Sequence, residues 1–248
     1  MARLRRCDSE AGRPGARRSL TACGIIPAMI RIDFVSDVAC PWCAVGLNGL
    51  ERALERLAGE AGFAPGEVAI EFQPFELNPQ MPPEGEDTVE HLARKYGITP
   101  AQIRQNQEAL RQRGASVGFT FGERKRIHNT FDAHRLLMWA GETGPEGAQR
   151  RLKHALLGAY FTQGQNPGDV EVLVAAASAA GLDGEAARAL LAGPAYRDEV
   201  KAREREWQDL GIHSVPAVIV NRRHLIQGGQ PPEVFEQALR QIAAESAD

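Results

Sequence analysis

Ile30, Ile32, Phe34 and Val35 form a short, β-prone apolar run that stops at Ser36-Asp37, the pattern of a buried strand opening into a loop. Val45, Leu47, Leu50, Leu54 and Leu57 then recur at helical intervals up to the glycines at 59 and 62. Val68, Ile70 and Phe72 alternate with polar or small residues as a second strand, closed by Asn78-Pro79 and Pro82-Pro83. The chain therefore starts as β-α-β.

From about Glu84 to Gly211 almost every segment has helical period. Val89, Leu92, Ala93 and Tyr96 share one face; Thr99-Pro100 supplies an N-cap and a first-turn proline, and Gly114 is placed to stop that helix. Further helices fit Phe131 to Ala140, Glu146 to Phe161, Asp169 to Ala180, Gly184 to Ala192 and Pro194 to Leu210, with no alternating strand between them. β character returns at Ala217 to Val220, pauses at Asn221-Arg222 and resumes at His224 to Gln227, before a last helix carrying Val234, Phe235, Ala238, Leu239 and Ile242. The pattern predicts an α/β protein in which an all-helical insertion, residues 85–211, separates a β-α-β half, 29–84, from a β-β-α half, 212–248.

Composition changes this picture mainly at the N-terminus. Residues 1–28 hold six arginines against Asp8 and Glu10, so a chain of net charge -3 divides into a basic start and an acidic remainder. Leu20-Thr21-Ala22-Cys23 resembles a lipoprotein cleavage box, yet the apolar stretch of about 7 to 15 residues that must precede one is missing. We expect 1–28 to be a disordered basic extension upstream of a natural start at Met29, and the protein to be cytoplasmic. With 43% hydrophobic residues, no run long enough to span a bilayer and no overall basic balance, neither a membrane nor a nucleic acid is expected as a partner.

The chemistry concentrates at Cys40-Pro41-Trp42-Cys43, between the first strand and the first helix. There the first-turn amides have no intrahelical partner, and with the helix dipole they favour an anion such as a thiolate. A stabilised thiolate favours the dithiol and makes the disulfide a stronger oxidant. Cys43 lies one turn further in, so Cys40 is the nucleophile and Cys43 the resolving thiol; Pro41 suits the first turn, and Trp42 sets an apolar ring beside the sulfurs. A structural zinc site needs four ligands, and Cys7 and Cys23 lie in the extension, so no metal is expected. Ile212-His213-Ser214-Val215-Pro216 precedes the Ala217 strand. A cis bond at Val215-Pro216 would present a turn, and the backbone of Ser214 and Val215 could pair with an extended substrate.

These residues resemble the DsbA-type branch of the thioredoxin superfamily and, within it, the FrnE-like proteins. The resemblance rests on Asp33 to Cys43, Phe75-Glu76-Leu77-Asn78-Pro79, Asn129 to Arg135, Ser214-Val215-Pro216 and Gly229 to Glu233. It implies a thioredoxin-like fold with a helical insertion and thiol-disulfide oxidoreductase activity, with Cys40, Cys43 and the cis-proline loop at Pro216 as its centre. The additional C-terminal cysteine pair of some FrnE-like proteins is missing, which removes support for an internal relay. The chain is also similar to 2-hydroxychromene-2-carboxylate isomerase and kappa-class glutathione transferase, which use serine at the position of Cys40. Asn78-Pro79 and Ser214-Val215-Pro216 match regions where those relatives hold glutathione, which makes glutathione a candidate co-substrate beside protein thiols and disulfides; no other cofactor is implied. Gly228-Gly229-Gln230 could offer amides to a carboxylate. On the insertion, Asn129 or Asp132 is a candidate helix cap, His134 either tunes the Cys40 thiolate or is structural, and Arg203 to Glu206 reads as a solvated face. The alternatives to a redox enzyme are a glutathione-dependent isomerase or transferase and a chaperone-like binding module.

Overall fold

The computed structural model describes residues 29–245; the expectation for the basic extension, with Cys7 and Cys23, lies outside the described residues. Strand β1 (Ile30–Ser36) leads through a short loop into α1 (Pro41–Leu57) and β2 (Val68–Pro74). A helical region follows: α2 (Thr88–Tyr96), α3 (Pro100–Ser116), α4 (Phe131–Thr143), α5 (Ala148–Leu157), a π turn at Gly158–Thr162, α6 (Val170–Ala179), α7 (Gly184–Ala192) and α8 (Arg197–Asp209). The hairpin β3 (Ala217–Val220) and β4 (His224–Gln227) and the helix α9 (Pro232–Glu245) complete the chain.

The main sheet runs β2-β1-β3-β4, with β1 and β2 parallel and the other pairs antiparallel. Alternation along β1 and β3 sorts side chains between two faces. Ile30, Ile32, Phe34, Val218 and Val220 face a core completed by Leu47, Leu50 and Leu57 of α1 and Phe235, Leu239 and Ile242 of α9. On the other face Val35, Ala217 and Ile219 meet Phe75, Ile212 and Trp207 of α8. The helical region has its own core, with Leu136, Leu152, Leu156, Leu173 and Leu190, and Val38 of the loop after β1 inserts into it. That insertion keys the loop carrying the cysteines to the helices.

Several expectations are corrected. A two-residue ladder, Glu86–Asp87 against Arg126–Ile127, interrupts the helices; two residues are too few to show alternation in sequence. Gly114 does not stop α3, which runs to Ser116. A Cβ there would lie 2.6 Å from the Phe121 ring, so the glycine permits close packing within the helix. The helix expected over Glu146 to Phe161 is α only to Leu157, where the π turn takes over. Glu204 is not on a solvated face: it is 9% exposed, packed on the Glu76 side of α8.

Arg135 of α4 stands at the centre of the helical region with no exposed surface. Its guanidinium donates to the carbonyls of Leu190 (2.7 Å), Gly193 (2.6 Å) and Ala195 (2.8 Å) and to Asp132 Oδ1 (2.8 Å). It thereby satisfies carbonyls orphaned at the end of α7. Arg135→Ala should lower stability by about 3–5 kcal/mol, and Arg135→Lys should recover only part, because an ammonium cannot reproduce the planar fork. Urea denaturation measures this; a loss under about 1 kcal/mol in the alanine variant would show that the carbonyls find other partners.

Candidate active site

The site begins with a buried carboxylate. Asp37, just past β1, accepts hydrogen bonds from Ala39 N (2.9 Å), Leu77 N (2.7 Å) and Thr130 Oγ1 (2.8 Å), while His134 Nε2 lies 3.5 Å from Oδ1. Burial pushes its pKa up; His134 and the Ala39 and Leu77 amides outweigh that and hold the carboxyl below its ordinary value. One side chain thus ties the loop to the segment after β2 and to the start of α4. Thr130 occupies the N-cap position of α4, but its hydroxyl is turned to Asp37; Asn129 Oδ1 instead accepts from Phe131 N (2.9 Å), and Asp132 pairs with Arg135.

This loop delivers Cys40 to the N-cap of α1, with Pro41 in the first turn. Cys40 and Cys43 are free thiols, 3% and 0% exposed, whereas Trp42 between them is 47% exposed. The Cys40 thiol donates to the Val215 carbonyl at 3.6 Å. Burial pushes the Cys43 thiol well above its ordinary pKa, and the neighbouring Cys40 adds to the rise. Cys43 is therefore held as a protonated thiol behind Cys40.

The Val215–Pro216 bond is cis, and this turn lies against α1. A Cβ on Gly46 would lie 3.0 Å from Pro216 Cγ and 3.3 Å from Gly229 Cα; one on Gly49 would lie 2.8 Å from Gln230 O. These two glycines, one helical turn apart, let α1 approach both the proline turn and the segment before α9. Sequence reasoning missed them, although small residues three apart on a helix are a readable signal. The Gly228 amide donates to Pro216 O (2.8 Å) and the Gln230 amide to Gly228 O (2.9 Å), so the expectation that this stretch offers its amides to a carboxylate is not met at those two positions.

The remaining site residues divide into two groups. Ser214 and Val215 lie in the proline turn beside Cys40, with Ser214 Oγ accepting from Gln227 Nε2 (2.7 Å). Asn78 lies one residue beyond Leu77, and its Oδ1 accepts from Lys95 Nζ (2.7 Å). His134 is buried against Asp37, on the far side of the loop's carboxylate. Sequence reasoning also missed Arg124, whose Nη1 donates to Ala39 O (3.3 Å) while its guanidinium lies over the rings of Tyr160 (5.4 Å) and Phe161 (5.2 Å). Lys153 of α5 is fully buried within electrostatic reach of Cys43, Asp37 and Cys40.

Glu76, between Phe75 and Leu77, faces Asp37 and Glu204. Burial, then the charges of Glu204 and Asp37, push its pKa to about 8. The folded state keeps this proton to about pH 8, whereas the unfolded chain loses it near 4.5, so the group lowers stability as pH rises between those values. Glu76→Gln should be more stable than the parent by about 1–2 kcal/mol at pH 8.5, a figure discounted for solvent screening, and equal to it near pH 4. Thermal unfolding at several pH values tests this; a pH-independent difference would place the charge elsewhere.

Comparison with known proteins followed from this geometry. The model of the DSBA-like thioredoxin domain matches residues 31–240. A probable DsbA oxidoreductase of Streptomyces coelicolor superposes with a TM-score of 0.77 at 38% identity, covering 86% of this chain and 89% of that one. The uncharacterised protein YwbO of Bacillus subtilis is 28% identical over 212 residues, 85% of this chain and 96% of its own length. The cytosolic disulfide reductase DsbM of Pseudomonas aeruginosa, solved with GSH, shares the fold at 16% identity and a TM-score of 0.55, covering 85% of this chain and 98% of that one. With a dithiol at the first turn of α1, a cis-proline turn against it and a family match along most of its length, the chain belongs to the DSBA-like thioredoxin domain family.

Proposed function

We propose that this protein is a thiol-disulfide oxidoreductase acting on protein or low-molecular-weight thiols and disulfides through a mixed disulfide. The observation that carries this reading is the pairing of Cys40, at the N-cap of α1 and against the Val215 carbonyl, with a buried Cys43 one turn behind it. In the reducing direction the Cys40 thiolate attacks one sulfur of a substrate disulfide and releases the other as a thiolate. Cys43 then gives up its proton and attacks Cys40 Sγ, expelling the second substrate thiolate. The Cys40–Cys43 disulfide forms, and two electrons pass to the substrate. The oxidising direction is the reverse.

Ser214 and Val215 border the nucleophile, where their backbone can align an extended substrate segment, and the exposed ring of Trp42 offers apolar contact beside it. Glutathione is the low-molecular-weight co-substrate we favour. DsbM was solved with GSH, and the Asn78-Pro79 and Ser214-Val215-Pro216 blocks support the same assignment here. The sequence blocks favour the FrnE-like branch, and we place the activity in the cytoplasm. A glutathione-dependent isomerase of the serine type is disfavoured because a thiol stands at position 40.

Turnover of insulin or glutathione disulfide by variants separates the readings. Cys40→Ser should lose activity by about a hundredfold or more, and Cys43→Ser should accumulate a mixed disulfide visible by mass spectrometry. Unchanged turnover in Cys40→Ser would instead favour isomerase chemistry. Substrate holding that persists in both variants would favour the binding module.

A further inference from the structure

Lys153 is a cation with no visible structural task. Its side chain has no exposed surface, and Nζ has no hydrogen-bond partner among the described residues. An unpaired ammonium in a dry interior costs several kcal/mol, and a methionine of similar length would avoid that cost. Its neighbours on α5 show where it stands. Leu152 and Leu156 share a core with Val38 of the cysteine loop, and Leu157 shares one with Ala39, Cys40 and Cys43.

The charges around α5 are few. Lys153 interacts electrostatically with Cys43 and Cys40 of α1 and with Asp37 of the loop. At one remove, His134 of α4 is committed to Asp37, and Glu51 of α1 is paired with Arg150 (2.6 Å) and His154 (2.9 Å). On the side of the π turn, Tyr160 lies under Arg124. Burial holds Lys153 below the ordinary lysine pKa, which brings the neutral amine within reach.

Resting on the redox reading above, we propose that Lys153 is the positioning residue of the resolving step, taking the proton that Cys43 gives up and stabilising the Cys43 thiolate. In the mixed disulfide the amine of Lys153 gains the Cys43 proton and becomes an ammonium. The Cys43 thiolate then attacks Cys40 Sγ, the Cys40–substrate bond breaks, and the outgoing substrate thiolate takes a proton from solvent. Lys153 returns its proton to solvent as the new disulfide removes the anion it faced. Charge and electrons balance, and no further reactant is needed.

The two chemical steps are measured apart. Rapid mixing with glutathione disulfide follows formation of the mixed disulfide in the Cys43→Ser background and its resolution in the intact dithiol. Lys153→Met should slow resolution by about tenfold or more at pH 7, equivalent to raising the Cys43 pKa by about one unit, and leave Cys40 attack within about twofold. The deficit should shrink as pH rises and solvent hydroxide replaces the lysine. The variant should unfold at an equal or higher urea concentration, since a buried charge is gone; Lys153→Gln, expected to show the same kinetic split, serves if the methionine variant folds poorly. Unchanged resolution in folded variants, or equal slowing of both steps, would overturn the role of Lys153. Failure of Cys43→Ser to form any mixed disulfide would instead overturn the redox reading.

Discussion

The burial of Asp37 as an ionised carboxylate is the constraint on which the site depends. A carboxylate in a dry interior is stable only when its oxygens are met by donors, and here two backbone amides and a hydroxyl meet them, with an imidazole close by. Those donors come from the loop itself, from the segment after β2 and from α4. Satisfying one charge therefore fixes three pieces of backbone at once. The turn from Asp37 to Cys40 follows, closed by the Cys40 amide donating to Asp37 O (3.2 Å), and it delivers the first cysteine to the N-cap of α1. The geometry of the sulfur is thus set from beneath by an anion that the sulfur does not touch.

One retained anion governs the titration of its neighbours. Glu76 and Glu204 are both pushed upward, chiefly by burial, with the charge of Asp37 adding to each rise. An interior that has spent its donors on one carboxylate keeps further acids neutral, because each additional negative charge meets both desolvation and repulsion. Lys153 is the counterpart on the other side, a cation without a hydrogen-bonded partner beside two thiols. The helical region therefore supplies groups that set the protonation state around the dithiol, as well as covering it.

Legibility in the sequence divided along the same line. The strands, α1, the dithiol and the proline turn were readable because each is local: a period of two, a period of 3.6, a pair of cysteines at fixed spacing, a proline before a strand. What could not be read depends on distant segments meeting. Within Arg150-Arg151-Leu152-Lys153-His154, Lys153 looks like any solvated helix lysine, and only the packing of α5 against the cysteine loop buries it. Glu204 sits in an alternating charge run that describes a surface face everywhere except at the position turned toward Glu76. Thr130 carries a cap residue's identity and a different task, because Asp37 competes for its hydroxyl and offers the stronger, ionised acceptor.

The same electrostatics bear on the direction of electron flow. The α1 N-terminus favours negative charge at Cys40, and Lys153 favours it at Cys43; both preferences act on thiolates and vanish when the disulfide forms. Burial of Cys43 works through the neutral thiol and does not distinguish the dithiol from the disulfide in the same way. The net bias is toward the dithiol, and it rises with the thiolate fraction that the helix terminus and the lysine sustain. A protein so arranged accepts electrons readily, and the rate at which it then passes them on is limited by how easily the interior gives up the proton on Cys43.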